Sequence, residues 1–288
     1  MSEVGMPYKP INKHWKFLMW LPIAWLVISF AVLGYSLTTT GQVLKRDIEL
    51  SGGKLIEVEV SGANIEDLQQ KMPFASFRLI TGTRSVLLVQ FPLEMDEKQV
   101  LDQLKQHLDV RSEPSFRTVE PLLGDIFFQQ TQLALVIAFV FMSFVVFILF
   151  RSFVPSIAVV LAAVTDIIGT MGFMNLAGIE LSLPVVAALL TLIGYSVDTD
   201  ILLTSRLLKS GALTLEELPN RINDAMKTGL TLTLTALAAL TALQIFTNSF
   251  VLESIAKVLI IGLVIDIFAT WLTNAGILRW WLEKRARK

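Results

Sequence analysis

Six stretches of the chain, at about 17–38, 129–150, 154–176, 183–204, 229–249 and 254–277, are apolar over roughly the 20 residues a helix needs to cross about 30 Å of hydrocarbon. They predict six spanning helices. Between the first and second spans the pattern changes to that of a folded polar domain, residues 39–128. "KLIEVEV" (54–60) reads as a strand, and "ANIEDLQQKM" as a short helix capped by Asn64 with Glu66 and Asp67 in its first turn. "SFRLITG" and "SVLLVQF" alternate around Gly82–Thr83 as a hairpin. A helix capped by Asp96 then puts Val100, Leu101, Leu104 and Leu108 on one face, and "SFRTVEP" returns as a strand. Strand, helix, strand, strand, helix, strand is the split βαβ order of a ferredoxin-like α+β domain. The fold class expected is therefore an α-helical membrane protein of six transmembrane helices, one before the domain and five after it.

Composition agrees, since 53% of the residues are hydrophobic. The first span is too long for a signal-peptide core and is read as an anchor. Basic residues fix an expected orientation. Lys9, Lys13 and Lys16, Arg151, Arg206 with Lys209, Arg221 and Lys227, and "RWWLEKRAR" all fall at one end of the predicted spans, which makes that end cytoplasmic. Both termini, the loop at about 205–228 and the basic tail 278–288 lie there, and residues 39–128 lie outside the cell membrane. The domain limits expected are 1–38, 39–128, 129–277 and 278–288. Trp15, Trp280 and Trp281 read as interface anchors.

A net charge of −1 gives no basic face for nucleic acid, and the absence of cysteine removes a thiol nucleophile or ligand. "SGGK" (51–54) lacks the longer glycine pattern of a phosphate loop and reads as a turn or bulge. His14 and His107 form no metal spacing, and no cofactor is expected.

The candidate chemistry lies in the spans. Asp166, Asp198, Asp200 and Asp266 sit in apolar helices, where a charge costs roughly 2.5–3.5 kcal/mol at the bilayer centre. Residues 198 and 200 are about 200° apart on a helix and cannot face one partner. Asp198 is expected to face the bundle and to gain and lose a proton there. Asp200 is expected nearer the cytoplasmic surface, reaching Arg206 or Arg151, with Asp166 and Asp266 near mid-membrane. The bland alternative is that these acids cap helices or bond the hydroxyls of "TGLTLTLTALAALT", whose small residues permit close packing.

Three segments carry a family resemblance over nearly the whole chain. "RDIELSGGKLIEVEV" resembles the Asp and Gly-Gly segment that enters the outer domain of the SecD/SecF protein-export family, in the resistance-nodulation-division (RND) superfamily. "VTDIIGTMG" resembles its third-span Asp motif, and "IGYSVDTDILLTSR" its fourth-span Gly-Tyr-Ser signature. Asp198-Thr199 replaces the bacterial SecF Asn-Asp, which points to an archaeal SecF type. Thr228 stands where the bacterial fifth span has an arginine. The resemblance implies a non-enzymatic subunit of the Sec machinery, half of a twelve-helix unit completed by a SecD-like subunit beside the protein-conducting channel. It would act on exported polypeptides in the lipid bilayer, with coupling to the proton gradient as the expected energy source. Two rivals are an RND-type small-molecule or lipid exporter, which carries two six-helix halves in one chain, and an intramembrane aspartyl protease, whose Tyr-Asp and Gly-x-Gly-Asp pair is missing here.

Overall fold

The computed structural model describes residues 8–81, 85–108, 110, 112–208 and 217–286. Helices α1 (Tyr8–Leu18) and α2 (Trp20–Thr40) form the first span, and a linker leads to the short α3 (Ile48–Ser51). The sheet domain follows: β1 (Gly53–Glu59), α4 (Ile65–Lys71), β2 (Ser76–Thr81), β3 (Ser85–Phe91), α5 (Glu97–His107) and β4 (Ser115–Val119). Five spans complete the chain: α6 (Pro121–Phe150), α7 (Phe153–Leu176), α8 (Leu183–Leu208), α9 (Leu218–Phe246), and α10 (Phe250–Phe268) running through a π turn (Ala269–Asn274) into α11 (Ala275–Ala286). Among the described residues six helices are long and apolar enough to cross a membrane, which makes this a multi-pass membrane protein.

The strands pair antiparallel in the order β2-β3-β1-β4, the ferredoxin-like arrangement. Alternation divides the sheet into two buried faces. Ile56, Val58, Leu87 and Val89 pack beneath Leu68 of α4 and Val100 and Leu104 of α5, while Leu55, Ile80 and Leu88 face Ile48 and Phe250 at the top of the helix bundle. Local capping follows the predicted chemistry: Asn64 Oδ1 accepts from the N–H groups of Glu66 and Asp67, and Asp96 accepts from Lys98 N–H.

Within "SGGK" α3 ends at Ser51 and β1 begins at Gly53, with Gly52 alone between them. Gly52 and Gly53 take φ of 78° and 141°, backbone that side chains resist, and a Cβ on Gly124 of α6 would come within 2.8 Å of Gly52 N. The two segments therefore close backbone to backbone.

Within the bundle, α7, α8 and the α10–π-turn helix form the centre and are about half buried, whereas the apolar stretches of α2, α6 and α9 are mostly on the outside. Trp271 of the π turn lies against α9, where a Cβ on Gly229 would come within 2.3 Å of its ring.

Several helices outrun their apolar stretches. Residues 121–128, read above as outer domain, are the first turns of α6, and 205–208 and 218–228, read as loop, are helical, as is the tail through Ala286. Hydrophobicity marks where lipid begins, whereas the helix continues while its backbone hydrogen bonds do. The turn at Gly82–Thr83 and Lys209 lie outside the described residues.

Candidate functional site: a buried carboxylate cluster and its link to the sheet domain

Asp166 of α7, Asp200 of α8 and Asp266 of α10 have no exposed surface and meet where these three helices pack. Helical spacing puts them there. On α8, Leu189, Leu192, Ser196, Asp200, Leu203 and Leu207 continue one ridge at intervals of three and four, and all are buried. Asp266, Thr270 and Asn274 repeat at intervals of four along α10 and the π turn, and all three are buried.

Hydrogen bonds tie the set together. Ser196 Oγ donates to Asp166 Oδ2. Thr270 Oγ1 lies 2.9 Å from Asp200 Oδ1 and 3.0 Å from Asp266 Oδ1, and Asn274 Nδ2 donates to Asp200 Oδ1 at 2.7 Å. A hydroxyl carries one hydrogen. Thr270 can donate to only one of its two carboxyls, so its contact with the other is a hydrogen bond only when that carboxyl carries a proton. Asp166 Oδ1, Asp200 Oδ2, Asp266 Oδ2 and Asn274 Oδ1 remain buried without a partner, each a place where a proton or a water can be held. Among the described residues no ion pair reaches these acids, and no group of three or more His, Asp or Glu could hold a metal ion. The π turn, a local form frequent at functional sites, supplies Thr270 and Asn274 to the cluster.

The structure corrects the expected geometry of the fourth span. Asp200 is buried in the cluster, and Asp198 is exposed on the opposite face of α8 beside Thr191, Gly194 and Tyr195. The 200° separation is as predicted, but the inward ridge belongs to Asp200, because Ser196 lies four residues before it and Leu203 three after. Asp200 does not reach a base: Arg206 Nη1 instead donates to the Asp224 carbonyl of α9 at 3.0 Å. Ser196, Thr270 and Asn274 were missed. Their signal was a hydroxyl four residues from an acid, Ser196 before Asp200 and Thr270 after Asp266, with Asn274 a further four residues along.

A second set joins the bundle to the sheet domain through the α7–α8 loop. Leu181 N–H donates to Lys45 O at 2.7 Å, and Asp47 N–H to Leu181 O at 2.9 Å, a single rung of β pairing between loop and linker. Buried Glu180 of the same loop takes Arg78 of β2 at 2.7 Å and Lys45 at 2.6 Å. Asn175 donates to Val43 O at 2.9 Å, and Leu183 N–H to Glu49 at 3.3 Å. Asp47, buried at the centre, caps α3 through Ile48 N–H and accepts from Gln90 of β3.

Burial raises the Asp47 carboxyl to about 6 from 3.8; Arg78 and Ile48 N–H oppose the rise, and Glu180 and Glu49 add to it. A folded value above the unfolded one means that the folded junction binds this proton more tightly. The stabilisation is complete below about pH 4 and is lost as pH rises through 6, amounting to about 3 kcal/mol at roughly 1.4 kcal/mol per unit. Hydrogen exchange in residues 45–52, corrected for intrinsic rate, is expected to be slower at pH 5 than at pH 7.5. Asp47→Asn, neutral throughout, should remove that difference.

Six spans interrupted after the first by a ferredoxin-like sheet domain are an RND-like architecture, and a SecDF structure has this fold. The structure, described as a translocon-associated membrane protein from Thermus thermophilus, aligns with a TM-score of 0.74 at 21% identity over 93% of this chain, and this chain spans 38% of its length. The family model described as protein export membrane protein SecD/SecF, C-terminal, matches residues 98–284. Protein-export membrane protein SecF of Methanothermobacter thermautotrophicus is 41% identical, with 96% of each chain covered, and that of Methanocaldococcus jannaschii is 37% identical over 96% of this chain and 99% of the relative. The chain belongs to the SecD/SecF protein-export family.

Proposed function

We infer that this chain is a SecF-type accessory subunit of the Sec protein-export machinery, acting with a SecD-type subunit to move polypeptides across the cell membrane. Family membership supports the export role. One observation carries the mechanism: α7 and α8, which supply two of the three clustered acids, are joined by the loop that grips the sheet domain and its linker through Glu180, Leu181 and Leu183. A change in protonation at Asp166, Asp200 or Asp266 alters how these helices pack. The loop then passes that shift to the domain, and the domain pulls or releases the polypeptide on the far side. Both termini lie in the cytoplasm, as the basic residues direct.

The partner's place is supported by a contrast in exposed faces. Outward residues of α6 are large and apolar, such as Val140, Phe141, Phe144 and Ile148, and suit lipid. The exposed faces of α8 and α9 mix such residues, among them Tyr195, Leu232 and Leu234, with small or polar ones, Thr191, Gly194, Asp198, Thr231 and Thr235, of the kind that pack helix against helix in a membrane. Asp198 therefore contacts the SecD-type subunit rather than the carboxylate cluster. In proteoliposomes holding the translocation channel, this chain and its SecD-type partner together are expected to speed precursor export, and either alone should not. Equal stimulation by this chain alone would overturn the reading.

A further inference from the structure

The end of the bundle that carries both chain termini has a feature that the export role does not use. A cleft of about 290 Å³ lies between the start of α7 and the last turns of α11, lined by Val154, Trp280, Trp281, Lys284 and Arg285. Its two bases are held in place. Lys284 Nζ sits 5.2 Å from the centre of the Trp280 ring, and Arg285 Cζ 5.4 Å from that of Trp281. Cation–π contact uses the ring face and leaves the N–H donors free. Neither base has a carboxylate partner among the described residues, whereas Arg279, one turn earlier on the same helix, is paired with Glu283 at 2.9 Å.

We propose that this cleft binds the headgroup phosphate of an anionic phospholipid. The phosphate would sit between the Lys284 ammonium and the Arg285 guanidinium, with the indoles beneath them. The first turn of α7 adds in the same sense, since Ser152 makes no side-chain cap and the α7 N-terminus carries partial positive charge. The flanking surface favours a lipid over free phosphate. Phe153 and Trp280 are 71% and 49% exposed at the rim, and the helices beside them are spans, so acyl chains would lie against apolar side chains while the headgroup stays at the interface.

The test is native mass spectrometry of the full chain released from nanodiscs of phosphatidylglycerol, of phosphatidylcholine, and of phosphatidylcholine with added inorganic phosphate. Retention of phosphatidylglycerol is expected, with little phosphatidylcholine and no phosphate adduct. Lys284→Gln/Arg285→Gln should weaken phosphatidylglycerol binding by about 30-fold, which is roughly 2 kcal/mol for two bases near an anionic surface. Lys227→Gln, an exposed base on α9 outside the cleft, should leave it unchanged. Equal retention of the two lipids, a phosphate adduct without lipid, or an equal loss in Lys227→Gln would each overturn the proposal.

Discussion

Replacing Asp200 by Asn is expected to leave the protein folded, inserted and bound to its SecD-type partner, while export in the presence of a proton gradient falls to the rate seen with the gradient collapsed. Asn fits the same space and still accepts from Thr270 and Asn274, which lie on the Oδ1 side of the acid at 2.9 and 2.7 Å. It cannot gain or lose a proton. Asp200→Leu should be worse in another way, since it strands the buried Asn274 amide at about 1–3 kcal/mol, Thr270 keeping Asp266, and lowers the amount of folded protein. Asp198→Asn is expected to spare gradient dependence and to weaken co-purification with the partner, because its side chain points out of this bundle. Export rate, membrane level and partner recovery, measured on the same preparations, separate the outcomes. If Asp200→Asn exports at the wild-type rate under a gradient, the cluster is structural.

Breaking the link between loop and sheet should uncouple the two halves without unfolding either. Glu180 is buried and holds Arg78, which is itself only 30% exposed, so Glu180→Ala leaves the guanidinium without this ion pair, beside the Phe250 ring at 5.2 Å and within reach of the Asp47 charge. Removing one partner of a buried pair costs about 3–5 kcal/mol; Lys45, which is 67% exposed, adds little to that loss. The expected result is faster hydrogen exchange at 45–52 and 177–183, unchanged exchange in the centres of α7 and α8, and export reduced towards that of Asp200→Asn. A double-mutant cycle with Arg78→Ala should return most of the cost as coupling between the two residues. Independent effects would place the link elsewhere, at Leu181 or Glu49.

The spans, the capped helices and the strand order were legible because each is written locally, in runs of 20 apolar residues, in Asn64 and Asp96, or in alternation along "SVLLVQF". The fourth-span acids were legible only halfway. Their opposition on the helix follows from spacing, but which one faces inward depends on what α7 and α10 bring against α8. Ser196 and Leu203 held that information, and the Gly-Tyr-Ser resemblance drew attention to Asp198 instead. The junction was illegible for a different reason. Glu180 and Arg78 are 102 residues apart, and the rung between Asp47 and Leu181 is made by main-chain groups that any residue would carry.

Proton coupling through the three-acid cluster is tested most directly by the export rate itself. Proteoliposomes containing the channel, this chain and its SecD-type partner should export a precursor quickly while a proton gradient is maintained and slow to the unassisted rate when an ionophore collapses it. An export rate that is assisted by this pair but unchanged on collapse would contradict the account.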